Sequence, residues 1–285
     1  INLKVRSILK FYLQCFFIGL VSYLVFVGLN KGFYLSHAVE STFSWNILAE
    51  RLLAFTHNGW WFVVSYVGLM LLSPLLNKAV DGMTGKQLLH SVLLFSVVIL
   101  YLGWYQRVEV TNYGNSLISF VWIYLIGRYI GKHVSLDSIR AYRWLWLCGY
   151  LVACLALFGL IMVRYHFSVK MHYPLDYNNP FVVIAAVMLL LFFLSMSFQS
   201  KAVNWVASSV FAAYLLQESV YLGHLWLYPR MRELFVAVPD GYRILALLGV
   251  SVVFLLICVS VDKILGLFSR VVLKGYDKIC TTKVA

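Results

Sequence analysis

Charged residues are scarce in this chain. Asp, Glu, Lys and Arg together make up 12% of 285 residues, about half the share of an ordinary soluble domain, while hydrophobic residues reach 62% and mean hydropathy is +0.84. That balance excludes a soluble globular domain. Cysteine is thin as well: the five (Cys15, Cys148, Cys154, Cys258 and Cys280) are scattered, four of them inside apolar runs. No C-x-x-C and no Cys/His ligand spacing occurs, so the sequence gives no ground for a disulfide or a metal site. A Gly-rich phosphate loop, a G-x-S-x-G elbow and an H-E-x-x-H helix are all absent, which removes P-loop, α/β-hydrolase and zincin chemistry. There is no convincing internal repeat and no attached soluble domain. Nor is there a basic stripe interleaved with aromatics outside an apolar run, so nucleic acid is not an expected partner. The net charge of +12 reads instead as topology and attraction to anionic headgroups of membrane lipid.

What the chain does have is long uncharged runs. Trp60 to Asn77 reads WWFVVSYVGLMLLSPLLN, roughly 18 residues and, at about 1.5 Å each, about 27 Å of helix, enough to cross most of a bilayer's hydrocarbon core. Trp60 and Trp61 suit one headgroup interface and Lys78 the other. Similar runs predict an all-α, polytopic transmembrane helical bundle with about eight spans. They lie near Ile8–Leu29, Gly59–Leu76, Leu88–Tyr105, Ser116–Gly131, Trp144–Val163, Phe181–Phe198, Val203–Leu222 and Ile244–Phe268. Nine Trp and nineteen Tyr fit two aromatic belts. Of the 23 Lys and Arg, most flank one side of these spans, Lys4, Arg6, Lys10, Lys78, Arg128 and Lys132 among them. That side should be cytoplasmic, so both visible ends are predicted to face the cytoplasm of a cell membrane (the inner membrane in a Gram-negative bacterium). No small-residue cleavage site follows the first apolar run, and the chain reads as one that has lost its front.

Polar groups inside spans are costly unless partnered, which makes them the candidate functional residues. In the second span Tyr66, Met70, Ser73 and Asn77 form one helical stripe, facing a cavity or serving as a packing seam, with Pro74 closing the helix. In the seventh, Tyr214 and Glu218 are i, i+4 neighbours, fit either to act as general base and hydroxyl-positioning pair or to hydrogen-bond another helix. Before the sixth, His172-Tyr-Pro-Leu-Asp-Tyr-Asn-Asn-Pro180 offers Tyr177 and Asn178 to a sugar's hydroxyls, or else only turn and cap chemistry with Asn179 capping and Pro180 in the first turn. In the eighth, Asp262 is expected to pair with Arg128 or Arg270, and Lys263 to snorkel. Lys4, Arg6 and Lys10 form a basic cluster at the mouth of the first span. They could serve the phosphates of an anionic cofactor such as coenzyme A, or anchor the helix on its cytoplasmic side.

Taken in order, W-W-F-x-x-x-Y-x-x-L-x-L-L-S-P-L-L-N, the S-L-I-S-F-V-W-I-Y-L-I-G-R-Y-I run, Tyr177-Asn-Asn-Pro180 and Asn204-Trp-x-A-S-S-x-F-x-x-Y-L-L-Q-Glu218 resemble the membrane-bound acyltransferase 3 family, in particular the bacterial surface-polysaccharide O-acetyltransferases. The resemblance covers nearly the whole chain as a single domain. It implies a ten-span bundle that moves an acyl group, usually acetyl, from cytoplasmic acyl-CoA to a hydroxyl of a cell-surface or lipid-linked glycan. The family's best-known catalytic element, an Arg-to-His stretch in its first span, would lie ahead of Ile1. Eight spans against ten fits a chain without the first two, and such a fragment would be inactive alone. Arg6 and Lys10 loosely match an arginine pair of the family. Gln217 stands where many relatives have His. The candidate assignments are therefore Glu218 and Tyr214 as catalytic, Arg6, Lys10 and Arg128 as acyl-CoA-binding, and Trp60, Tyr66, Tyr177 and Asn178 as acceptor-binding, with no metal. A multi-span small-solute or polysaccharide transporter is the alternative, with Glu218 and Asp262 serving a coupling ion. The sequence sets no oligomeric state.

Overall fold

The computed structural model describes residues 2–33, 45–46, 60–106, 108–168 and 173–282. Among these the regular structure is helical throughout, with no strand. The helices are α1 (Asn2–Phe33), α2 (Trp61–Asp81), α3 (Gly85–Val98), α4 (Leu117–His133), α5 (Leu136–Ala141), α6 (Arg143–His166), α7 (Pro180–Leu194), α8 (Lys201–Ala207), α9 (Val210–Gln217), α10 (Tyr228–Ala237) and α11 (Arg243–Thr282). Two π-helical segments interrupt them: Ile99–Tyr105 continues α3, and Val220–Leu227 leads into α10.

The chain is all-α and polytopic. Five described stretches are long and apolar enough to cross a membrane: Arg6–Leu29, Trp61–Asp81, Gly85–Tyr105, Arg143–His166 and Asp240–Asp277. They correspond to the first, second, third, fifth and eighth expected spans. The fourth and sixth are the shorter α4, of 17 residues, and α7, of 15. Exposed rows such as Leu151, Val152, Leu155 and Phe158 on α6, and Leu248, Val252, Leu256 and Ile257 on α11, are the side chains a lipid tail would meet.

Two expectations change. The seventh run, Val203–Leu222, is not one helix: it breaks at Ser208-Ser209 and again at Glu218-Ser219. Hydroxyls carry both breaks, because Ser208 Oγ bonds the Trp205 carbonyl at 2.7 Å and Ser219 Oγ accepts from the Leu222 and Gly223 amides at 3.1 Å each. Pro74, in turn, does not close α2, which runs on to Asp81. Proline removes the N–H that would bond the Met70 carbonyl four residues back, and Ser73 Oγ donates to that carbonyl at 2.8 Å in its place.

The chain divides into two units, one made of Ile1–Trp60 with Gln199–Ala285 and the other of Trp61–Phe198. In the first, α1 packs against α11, α9 and the Val220–Leu227 segment. Cys15, Ile18, Ser22 and Phe26, spaced three and four apart, form its fully covered face. Phe11 stacks on Phe211 at 4.6 Å, and Tyr23 and Phe26 meet Tyr221 at 5.2 and 5.1 Å. In the second unit α4 is the hub. Val80, Leu88, Val92 and Leu125 bury one cluster between α2, α3 and α4, and Ile130, Ile139 and Leu191 bury another between α4, α5 and α7. Trp122 donates to Ser96 Oγ at 2.8 Å, which fixes α4 on α3.

Candidate functional site

A cavity of about 350 Å³ opens in the first unit between the early turns of α1 and the later half of α11. Arg6, Lys10 and Gln14 line it from α1, and Asp262, Lys263 and Arg270 from α11. Arg6 Nε and Nη2 reach both oxygens of Asp277, at 3.1 and 3.2 Å, so its charge is already engaged. Lys10 and Arg270 form no ion pair with a described residue. The Lys4 side chain lies outside the described residues. Arg128 is in the second unit, where Arg128 Nη2 and Lys132 Nζ share Asp81 Oδ1 at 2.9 and 3.1 Å.

Asp262 takes neither arginine. Its two oxygens accept from Gln14 Nε2 and Ser209 Oγ, both at 2.7 Å, and so tie α1 and the α8–α9 break to α11. Lys263 does the matching job beside it: Nζ donates to Ser208 Oγ at 2.6 Å and to the Trp205 carbonyl at 3.2 Å, and lies over the Trp205 ring at 5.0 Å. Adjacent opposite charges thus hold adjacent serines. A backbone break in an apolar environment needs such partners, because the carbonyls it frees cannot turn to water.

Farther along α1, at the level of Tyr23 and Phe26, a second polar group forms. Tyr228 donates to Glu218 Oε1 at 3.0 Å, Gln217 Nε2 donates to the Tyr228 hydroxyl at 3.2 Å, and His224 Nε2 stands 3.6 Å from Glu218 Oε2. The π register brings these residues together. His224 N bonds the Ser219 carbonyl five residues back at 3.0 Å, and Gly223 passes so close to the Gln217 carbonyl that a Cβ there would lie 1.7 Å from its oxygen. The ring of Tyr214 stacks with Phe211, on the face that meets α1, while the Glu218 carboxylate takes its hydrogen bond from Tyr228.

In the second unit the stripe on α2 meets a neighbouring helix at Asn77, while Ser73 and Tyr66 make contacts within α2 itself. Asn77 accepts from the Tyr124 hydroxyl, Ser73 bonds Met70, and Tyr66 stacks on Phe62. Asn179 caps α7, accepting from the Phe181 amide at 2.9 Å and donating to the Pro174 carbonyl at 2.7 Å, as the cap reading expects. Asn178 is different: it is 1% exposed and neither amide atom has a partner among the described residues. Gly103, in the π segment, is where it packs; a Cβ there would stand 2.7 Å from Asn178 Nδ2. Tyr177 lies against Trp61 at 5.0 Å and over Gly114, whose φ of +93° admits no ordinary side chain. Trp60 is buried, its indole N–H has no partner among the described residues, and it falls in the first unit while Tyr66, Tyr177 and Asn178 fall in the second. His172 lies outside the described residues.

The family model described as Acyltransferase domain, acyltransferase 3, matches residues 3–263. The chain belongs to this acyltransferase family. It is a multi-pass membrane acyltransferase, and the transporter alternative gives way. Neither a curated protein nor a solved structure matches it.

The sequence reading of this acyltransferase missed Gln14, Ser209, His224 and Tyr228. The first two are neutral partners of Asp262 from distant parts of the chain. His224 is six residues from Glu218, roughly 240° round an α-helix, so α-periodicity sets the two on different faces and only the π segment joins them.

Proposed function

We propose that this acyltransferase moves an acyl group, acetyl in the simplest case, from acyl-CoA to a hydroxyl of a cell-surface or lipid-linked glycan. The observation that carries this reading is the cation-lined cavity between α1 and α11. Coenzyme A presents a diphosphate and a ribose phosphate, and a site for it needs several guanidinium or ammonium groups that are not already neutralised. Lys10 and Arg270 are of that kind, Lys263 stands beside them, and the cavity's carboxylate, Asp262, has both oxygens occupied. The basic side of the spans is the cytoplasmic side in this reading, which puts the cavity where acyl-CoA is found.

Membranes containing the full-length gene product should transfer radiolabelled acetyl from acetyl-CoA to surface glycan. Lys10→Ala and Arg270→Ala should each raise KM for acetyl-CoA about tenfold, the worth of one charge-assisted hydrogen bond, with kcat little changed. Transfer no greater than that of vector-only membranes would sink the proposal. A KM unmoved by both substitutions would remove the cavity from it.

A further inference from the structure

The first unit holds a second cavity, beside α10 and the Val220–Leu227 segment, to which the foregoing assigns no ligand. Its volume of about 690 Å³ is ample for a small polar molecule, and His224, Tyr228, Pro229, Arg232, Glu233 and Val236 line it. Three of these side chains are committed in ways that define what remains available. Glu233 is held by Arg230 at 2.6 Å. The Tyr228 hydroxyl accepts from Gln217 and donates to Glu218, and its ring, met edge-on by His224 at 5.0 Å, stays 36% exposed. His224 turns Nε2 toward Glu218, so Nδ1 is the nitrogen left for an outside partner. Arg232 forms no ion pair with a described residue, and it is the uncompensated charge of the cavity.

We propose that this cavity is a subsite for an acidic saccharide unit. Arg232 holds the carboxylate or phosphate, for which its planar fork of donors is shaped. His224, oriented by Glu218, takes a hydroxyl through Nδ1, and the Tyr228 ring and Pro229 pack against the apolar C–H face of the sugar. Gln217 and Glu218 touch no ligand in this arrangement: they are positioning residues that fix Tyr228 and His224. The inference rests on the glycan-acceptor reading above and narrows it to a glycan that carries negative charge.

Titration calorimetry on the full-length protein in nanodiscs of zwitterionic lipid tests it. The probes are a glucuronic-acid oligosaccharide, a glucose oligosaccharide of the same length, and inorganic phosphate. The acidic oligosaccharide should bind at least tenfold more tightly than the neutral one. Arg232→Gln should abolish that preference and leave the neutral affinity in place, and His224→Ala should weaken both sugars about tenfold, roughly one lost hydrogen bond. Equal affinity for the two sugars, binding of neither, phosphate binding as tightly as the acidic sugar, or an Arg232→Gln protein that keeps the preference would each overturn the subsite. Both positions are exposed, and an unchanged thermal unfolding profile separates a binding effect from misfolding. The acetyl-transfer assay keeps the two proposals apart: transfer without acidic-sugar preference sinks the subsite alone, and acidic-sugar binding without transfer sinks the acyltransfer reading alone.

Discussion

Asp262 shows how one side chain can hold three parts of a membrane protein together. It accepts from Gln14 of α1 and from the fully buried Ser209 at the α8–α9 break, and its neighbour Lys263 secures Ser208. Removing the carboxylate leaves a buried hydroxyl and a half-buried amide without their acceptor, which costs about 1–3 kcal/mol for the more buried group. Asp262→Ala should therefore lose about 2 kcal/mol or more, and Asp262→Asn, which keeps one acceptor oxygen, clearly less; thermal unfolding of the detergent-solubilised proteins checks the order. The sequence pointed to Asp262 but to the wrong partners. A carboxylate near basic residues invites an ion-pair reading, whereas its partners are neutral and lie 53 and 248 residues away, beyond any local window.

At the scale of elements, composition and hydroxyl chemistry answer different questions. Hydropathy located α1, α2, the α3 run, α6 and α11 closely, because length and apolarity are all a span requires. It could not see that Val203–Leu222 breaks twice, since serines cost little on a hydropathy scale yet terminate helices by capping. The same blindness hid His224 from Glu218. In α2, Ser73 keeps the helix continuous past Pro74, so Ser73→Ala should cost about 1 kcal/mol, and the double change Ser73→Ala with Pro74→Ala should recover most of it by restoring the backbone donor; unfolding midpoints of the two proteins report this. Gly223→Ala is a harsher change. A Cβ 1.7 Å from the Gln217 oxygen forces the Val220–Leu227 segment to move. The variant should lose more stability than any exposed substitution on α10, about 2 kcal/mol or more, and should separate His224 from Glu218.

The molecule as a whole is built as a unit within a unit: Trp61–Phe198 interrupts the chain between the two parts of the other. A stop after Tyr242 removes α11 and with it Asp262, Lys263 and Asp277, while every partner within Trp61–Phe198 stays in place. Limited proteolysis of membranes carrying that truncation should cut α1 and α8–α10 readily and spare α2–α7. This nesting also sets a clock. Gln14 is made 248 residues before the carboxylate it will bind, a delay of roughly 10–50 s at ordinary ribosome speeds. Until α9 and then α11 follow, the covered face of α1, with Ser22 on it, has only lipid, the insertion machinery or a borrowed neighbour to lie against. The basic cavity exists only once α11 arrives, so a slow or faulty insertion of that helix would leave an inserted, mostly helical protein without its cavity, a failure that assays of membrane integration alone would pass as success.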